Sequence, residues 1–188
     1  MGIWDKFFGK SKAKKHQNSP FLPKEDDPLE VGFAKNFTSK GGKFLFNESY
    51  SNLLDNFKDI CIENHWEPKQ ILSLNVNLSD QFGTSLILQN SIIPKEYKAA
   101  IIECEYLISN TGKILLSEFQ IKHFKLNNLP QTIIVKANLN QLVRDVSQGM
   151  TFLKKKYPEK IPTNITTLKI KSNSHGEKEA PESETTSK

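Results

Sequence analysis

Cysteine is scarce in this chain. Only Cys61 and Cys104 occur among the 188 residues, and they do not form a Cys-x-x-Cys pair. Because an iron–sulfur cluster normally needs four thiolates, the chain cannot supply a full set of cluster ligands by itself. Cys61 lies on the apolar face of a predicted helix and Cys104 ends an apolar run, so we expect two buried, reduced thiols in a reducing compartment.

Long apolar runs and targeting signals are also lacking. No stretch approaches the ~20 apolar residues that cross a bilayer, and the first residues lack the apolar region of a secretory signal. Gly2 resembles the start of a myristoylation motif, but Lys6 stands where that motif needs Ser or Thr. We therefore expect a cytoplasmic protein.

Standard catalytic and nucleotide-binding motifs are missing as well. The sequence contains no Gly-x-Gly-x-x-Gly, Walker, Gly-x-Ser-x-Gly or His-Glu-x-x-His motif. Its four histidines show no zinc-like spacing. These absences argue against a dinucleotide enzyme, a nucleoside triphosphatase, a serine hydrolase or a metalloprotease, and we expect no metal and no cofactor in this chain itself.

Positive charge is concentrated at the start of the chain. Residues 1–15 contain five lysines and one acidic residue, so they account for +4 of the formal net charge of +5. Since the rest is nearly neutral, we expect no nucleic-acid partner. Ile3, Trp4, Phe7 and Phe8 recur at helical spacing beside these lysines, a pattern that fits weak membrane-surface contact, docking on a protein or a disordered tail.

Composition divides the chain into three predicted regions. Residues 1–27 read as a basic tail and a linker. Residues 28–171 are long enough for one α/β domain. Residues 172–188, rich in Ser, Glu and Lys, are predicted to be a disordered polar tail.

Helical and strand patterns alternate along the predicted domain. Helices are predicted over residues 29–39, from a cap at Asn47 or Ser49 through Cys61, around 79–82, and from Asn138 to Leu153 with Gln141 completing a capping box. Strands are predicted over residues 43–46, 70–74, 98–104, 132–135 (the clearest buried strand) and 164–170. Such alternation indicates an α/β fold, with a mostly parallel open sheet and flanking helices.

A hairpin is predicted within this series. Two apolar runs, residues 106–109 and 113–117, flank the turn Asn110-Thr111-Gly112. Gly112 fits a turn that needs positive φ. The Thr111 hydroxyl and the N–H groups of the turn could instead hold an anion at a ligand cleft.

Two further groups of polar residues are candidates for chemistry. Thr163, Asn164, Thr166 and Thr167 form a polar cluster that could bind a carboxylate or phosphate near strand ends, although ordinary turn and strand chemistry explains it equally well. Glu103 and Glu105 straddle Cys104, and a strand would place both on one face as a possible catalytic pair.

An ordered series of segments resembles the LUD (lactate-utilisation) family. Residues 105–117 resemble the Ala-Glu-Thr-Gly-x-Ile-x-x hairpin of LUD proteins, and residues 128–135 resemble their Leu-Pro-x-x-His-Ile-Val-Val strand. The predicted helix over residues 140–157 follows where the family has one. Residues 161–167 are similar to a late polar segment, and residues 33–46 to the opening of short family members.

The resemblance implies both a fold and a function. It implies a fold like the NagB/RpiA/CoA-transferase group, and a LutC-like accessory role in oxidising L-lactate to pyruvate. The partners would be LutA- and LutB-like iron–sulfur oxidoreductase proteins, which would carry the clusters, and a small carboxylate would be the ligand. Asn110 stands where many relatives have Glu, so a ligand-binding protein of the CoA-transferase-like group, or an interaction protein with a degenerate site, remain alternatives.

Overall fold

The computed structural model describes residues 28–87, 93, 95–122, 124–168 and 170. The predictions for residues 1–27 and 172–188, including the amphipathic Ile3–Phe8 segment, lie outside these residues. Within them the chain forms a mixed α/β fold with a parallel sheet and flanking helices, which confirms the predicted fold class. None of the described helices is long and apolar enough to cross a membrane.

Five α-helices and eight strands follow one another in the described part of the chain. The helices are α1 Leu29–Thr38, α2 Tyr50–Asn64, α3 Val76–Phe82, α4 Glu118–Ile121 and α5 Val146–Lys156. The strands are β1 Ile71–Ser73, β2 Ser85–Leu86, β3 Ala99–Glu103, β4 Tyr106–Ile108, β5 Lys113–Leu116, β6 Thr132–Lys136, β7 Leu142–Val143 and β8 Thr166–Leu168. Short 3₁₀ turns cover Pro68–Gln70, Leu126–Asn128 and Leu139–Gln141.

The first sheet is parallel and has the order β2-β1-β3-β6. Its inner strands β1 and β3 are buried because helices or the second sheet cover their faces. Strand β6 lies at the edge, with Thr132 exposed and Ile133 to Lys136 only partly buried. The prediction that residues 132–135 are the clearest buried strand is therefore wrong: within the described part of the chain β6 pairs with β3 alone, and its side chains are only partly covered.

The second sheet is mixed and has the order β7-β4-β5-β8. Strands β4 and β5 form the predicted hairpin, β8 pairs antiparallel with β5, and β7 pairs parallel with β4. The hairpin thus forms the two central strands of a second sheet. Only Cys104 and Glu105 separate β3 of the first sheet from β4 of the second, so this two-residue link joins the two sheets.

Two local predictions are wrong and one is right only in part. Residues 43–46 form no strand; Phe44 packs against the core instead. The capping box of Asn138 and Gln141 is present but caps a single 3₁₀ turn. The helix begins later, at Val146, because Leu142 and Val143 form β7 beside β4, where Val143 is fully buried. The spacing of the apolar residues at this point is compatible with a strand as well as with a helix.

The helices α1 and α2 follow their sequence signals, α3 is longer than predicted, and α4 was not predicted. Ser49 caps α2 by accepting a hydrogen bond from the Asn52 backbone N–H at 3.1 Å, as one of the two predicted caps. In α1, Phe33 and Ala34 are buried. Cys61 and Cys104 are also both buried and unpaired, which confirms the expectation for the two thiols.

Candidate functional site

A cleft opens where the two sheets meet, and its volume is about 480 Å³. It lies at the carboxyl ends of β1 and β3, where Leu74 and Asn75 follow one strand and Cys104 follows the other. Its polar and aromatic lining consists of Asn75, Glu103, Glu105, Tyr106, Phe119, Gln120, Asn138, Asn140, Gln141, Lys156 and Tyr157.

The strand order explains why a cleft forms here. The chain leaves β1 to form β2 on one side of it, while β3 and then β6 lie on the other side. Open parallel sheets bind ligands in the crevice at the carboxyl ends of the strands where such a reversal occurs. A volume of 480 Å³ also falls within the range of small-molecule sites.

Glu105 is the most deeply buried ionisable group of the cleft. Its side chain has no exposed surface, and four side chains donate hydrogen bonds to its carboxylate. Ser117 Oγ and Gln120 Nε2 donate to Oε1 over 2.7 and 2.9 Å, and Lys156 Nζ donates to Oε2 over 2.8 Å. The Tyr157 hydroxyl approaches both oxygens at 3.3 and 3.4 Å. A buried carboxylate with this many donors is fully satisfied.

Glu105 and its four partners come from three elements. Glu105 is held by the link between β3 and β4, Ser117 caps α4 at the end of β5, and Lys156 and Tyr157 end α5. Ser117 and Gln120 form a capping box for α4, so the same two side chains start that helix and hold the carboxylate. The cluster therefore ties α4 and α5 to the junction of the two sheets.

The electrostatics of the pair favour its charged form. Burial alone would raise the pKa of the Glu105 carboxyl, but hydrogen bonds from Lys156, Gln120 and Ser117 and the charge of Lys156 hold it below its usual range. Burial would likewise lower the pKa of Lys156, but hydrogen bonds with Glu105 and Tyr157 and the charge of Glu105 raise it well above its usual value. The ammonium is thus kept charged while 46% of the Lys156 side chain stays exposed to the cleft.

Gln141 holds the link between the sheets from the other side. Its Nε2 donates to the Cys104 carbonyl at 2.5 Å and approaches the Glu105 carbonyl at 3.3 Å. Its Oε1 accepts from the Asn138 N–H at 2.8 Å, which connects the link to the turn that follows β6. Of the three chain crossings between the sheets, two therefore meet at this side chain, the β3–β4 link and the turn between β6 and β7.

Cys104 lies beneath the cleft as an unreactive thiol. Burial, with the charges of Glu105 and Glu103, raises the pKa of the Cys104 thiol to about 12. Since the thiolate is the reactive form, Cys104 does not provide a nucleophile at neutral pH.

Thiol labelling tests this assignment. In native protein at pH 8 we expect a thiol-specific disulfide reagent to modify neither Cys61 nor Cys104, and to modify both after denaturation, because both are buried. An Asn140→Cys variant places a thiol on an exposed residue of the same cleft as a control. Labelling of Cys104 at the rate of the Asn140→Cys thiol would contradict the buried assignment.

Glu103 does not share a strand face with Glu105. Glu103 ends β3, and the chain turns into the link before Glu105. The Glu103 side chain is 44% exposed, lies 3.7 Å from the Lys136 ammonium and accepts a long hydrogen bond of 3.4 Å from Asn75 Nδ2. Of the two carboxylates, Glu103 is therefore the one with oxygen atoms accessible from the cleft.

The hairpin turn Asn110-Thr111-Gly112 lies away from this cleft. It packs on the carboxyl end of α1, where Asn36 Nδ2 donates to the Ser109 carbonyl at 2.8 Å and Lys40 donates to the Thr111 carbonyl. The Thr111 hydroxyl is buried and has no partner among the described residues. Gly112 has a φ of +62° and is buried against α1, as the turn reading predicts.

The late polar segment lies at the opposite end of β5 from that turn. Thr166 and Thr167 are in β8, paired with Leu116 and Leu115. Thr163 contacts Glu118 at the start of α4, with its hydroxyl 2.5 Å from Oε2, and Asn164 has a φ of +51°. The four residues of β5 separate the turn from this segment by about 13 Å, so the two do not form one cleft. A ligand role for either of them stays a prediction.

The sequence contained only part of the signal for the observed cleft. The sequence offers Glu105 beside Glu103 as a candidate carboxylate, and the spacing Ser117-Glu118-Phe119-Gln120 is that of a capping box. Lys156 and Tyr157 gave no such signal, because they meet Glu105 across more than fifty residues of chain.

Metal binding finds no support in the described residues, which contain no group of three or more His, Cys, Asp or Glu side chains able to hold an ion. What the cleft offers is an oriented ammonium, exposed amide groups, an accessible carboxylate and three aromatic rings. These groups suit a small ligand that carries a carboxylate and a hydroxyl group.

Comparison with known proteins places the chain among α/β proteins of one family. The family model described as LUD domain matches residues 31–185. The crystal structure of a DUF162 family protein from Deinococcus radiodurans is similar, with a TM-score of 0.55 and 15% sequence identity, over 74% of this chain and 85% of that one. At this identity the likeness concerns the fold. No curated protein matches the chain significantly.

Proposed function

Because the chain belongs to the LUD domain family, which includes lactate utilisation proteins, we propose that it is a LutC-like accessory component of L-lactate oxidation. In this proposal it binds lactate, or a related 2-hydroxy acid, in the cleft between the sheets. It acts together with LutA- and LutB-like iron–sulfur proteins.

The observation that carries the ligand part of the proposal is the state of Lys156. An ammonium has three N–H donors. Hydrogen bonds with the buried Glu105 carboxylate and with Tyr157 use two of them. The side chain lines the cleft and is 46% exposed, so the third donor is available to a ligand. The carboxylate of a ligand can accept a charge-assisted hydrogen bond from this ammonium. Because the Glu105 cluster already holds the ammonium in place, binding does not have to order it.

The second polar group of a 2-hydroxy acid also has a counterpart in the cleft. The Glu103 carboxylate accepts hydrogen bonds and is 44% exposed. In the proposed complex it accepts from the 2-hydroxyl group while Lys156 donates to the ligand carboxylate. Glu105 is unsuited to either task, because its oxygens are already occupied by four donors.

An accessory role follows from the electron balance. Oxidation of lactate to pyruvate removes two electrons and two protons, and the electrons need an acceptor. The two cysteines of this chain are too few for an iron–sulfur cluster, and both are buried. The proposal therefore assigns the clusters to partner proteins and substrate binding to this chain.

Growth on L-lactate tests the proposal. Deleting the gene should abolish growth with lactate as the carbon source, and the intact copy should restore it. A Lys156→Met copy should restore it poorly, whereas Lys154→Met, which alters an exposed lysine on the same helix, should restore it fully. A Lys156→Arg copy, which keeps the positive charge, separates the loss of charge from the loss of folded protein. Unchanged growth in a deletion strain with no second copy would contradict the proposal.

A second candidate function is ligand binding in another pathway, and the size of the cleft favours it. The volume of 480 Å³ is that of a site for a larger ligand than lactate. A thermal-shift screen with 2-hydroxy acids, sugar phosphates and coenzyme A esters distinguishes the two. Stabilisation by a phosphate-containing compound alone would select the second candidate.

A further inference from the structure

The Phe119 ring adds an exposed apolar surface to a cleft whose lining is otherwise mainly polar. Its side chain is 46% exposed although it lines the cleft, and its ring centroid lies 5.0 Å from that of Tyr157, with 39° between the ring planes. Exposed aromatic rings inside a concave, otherwise polar site are typical of positions that contact an apolar part of a ligand. The hydrophobic core does not account for this exposure.

The ring is held in position by the same cluster that orients Lys156. Phe119 follows the capping residue Ser117, whose Oγ accepts a hydrogen bond from the Phe119 N–H at 3.2 Å and donates one to Glu105 at 2.7 Å. The Lys156 ammonium lies 5.0 Å from the centroid of the Tyr157 ring, which is also the distance from Tyr157 to Phe119. The ammonium and the Phe119 ring are therefore at most twice that distance apart.

An ammonium and an exposed aromatic ring in one cleft suit one kind of 2-hydroxy acid. Lactate carries only a methyl group beyond its hydroxyl-bearing carbon, so it offers the Phe119 ring little apolar surface to bury. In 3-phenyllactate, the carboxylate carbon and the centre of the phenyl ring are roughly 5 Å apart. With its carboxylate at Lys156, the phenyl ring can therefore reach Phe119, because the Phe119 ring lies no farther from the ammonium than twice 5.0 Å.

We infer that the preferred ligand of the cleft is a 2-hydroxy acid with an aromatic side chain, its carboxylate at Lys156 and its ring against Phe119 and Tyr157. The inference rests on the proposed function, since it assigns the substrate class of the same site. Phe119 is then the residue that determines specificity, and it does so without touching the hydroxyl group that is oxidised.

Calorimetric titration of the full chain with L-lactate and with L-3-phenyllactate tests the inference. We expect phenyllactate to bind about tenfold more tightly, since ring contact and the apolar area it buries add to the shared polar contacts. Phe119→Ala should remove that preference by lowering the phenyllactate affinity towards that of lactate. Phe152→Ala is the matched control, because Phe152 is also partly exposed, at 38%, but does not line the cleft.

The outcomes separate this inference from the proposed function. Equal affinities for the two acids, or a preference that survives Phe119→Ala, would overturn the inference and leave lactate binding intact. Absence of binding by either acid would overturn both. Thermal unfolding of each variant before titration shows that a lost preference comes from the ring and not from unfolded protein.

Discussion

Replacing Gly112 with alanine should lower the free energy of unfolding by about 3–5 kcal/mol. Gly112 has a φ of +62°, which L-residues adopt at a cost, and it is buried against α1. A Cβ atom there would lie 2.5 Å from the backbone nitrogen of Phe37 and 2.6 Å from the carbonyl carbon of Asn36. Because these are helix backbone atoms, the clash is relieved only if α1 and the hairpin move apart.

Gly83 provides the matched control for this substitution. Its φ of +65° is nearly the same, but a Cβ atom there would have no neighbour within 4 Å. Gly83→Ala should therefore cost only the backbone strain, about 1–2 kcal/mol. Urea denaturation of both variants measures the difference, and equal losses of stability would show that the turn does not press on α1.

The Lys156→Met substitution should lower the free energy of unfolding by about 2–4 kcal/mol at neutral pH. It leaves the Glu105 carboxylate, whose side chain has no exposed surface, without a cation. Ser117, Gln120 and Tyr157 still donate to it, so the loss stays below that of an entirely unpartnered charge. Removing the other charge of the pair, with Glu105→Gln, should lower the free energy of unfolding by less, about 1–2 kcal/mol, because the half-exposed Lys156 can turn towards water.

The pH dependence provides a check on the same pair. The pKa of Glu105 is lowered in the folded state, so its contribution to stability is present above the ordinary carboxyl pKa of about 4.3 and is lost as pH falls through the lowered value. The pKa of Lys156 is raised, so its contribution is lost only as pH rises above about 10.4. The cost of Lys156→Met should therefore be full between about pH 5 and 10 and shrink in acid. A cost that does not vary with pH, or one no larger than that of Lys154→Met, would contradict the ion pair.

The order of elements could be predicted from the sequence because it depends on local patterns. The Ser49 cap, the apolar face that buries Phe57 and Cys61, and the Asn110–Gly112 turn each involve residues close in the chain. The apolar runs of β1 and β3 likewise indicated buried strands.

The division into two sheets could not be predicted, because it depends on pairing between distant strands. Nothing local distinguishes Leu142–Val143 as a strand beside β4 from the start of a helix. Nor does local pattern show that β6 stands at an edge. The candidate cleft depends on the same long-range pairing, since Lys156 meets Glu105 only after both sheets are in place. Of the polar residues that the sequence alone made prominent, Glu103 and Glu105 line the cleft, whereas those of the hairpin turn and the late polar segment lie around β5.

An NMR titration of the isotope-labelled full chain with L-lactate tests the central claim most directly. If the cleft is the ligand site, the amide resonances of Gln120, Gln141, Lys156 and Tyr157 should shift with one common dissociation constant. Those of Thr111, Gly112 and Thr167 should stay unchanged. Shifts confined to the hairpin turn and β8, or no shift at saturating lactate, would contradict the assignment of the cleft as the binding site.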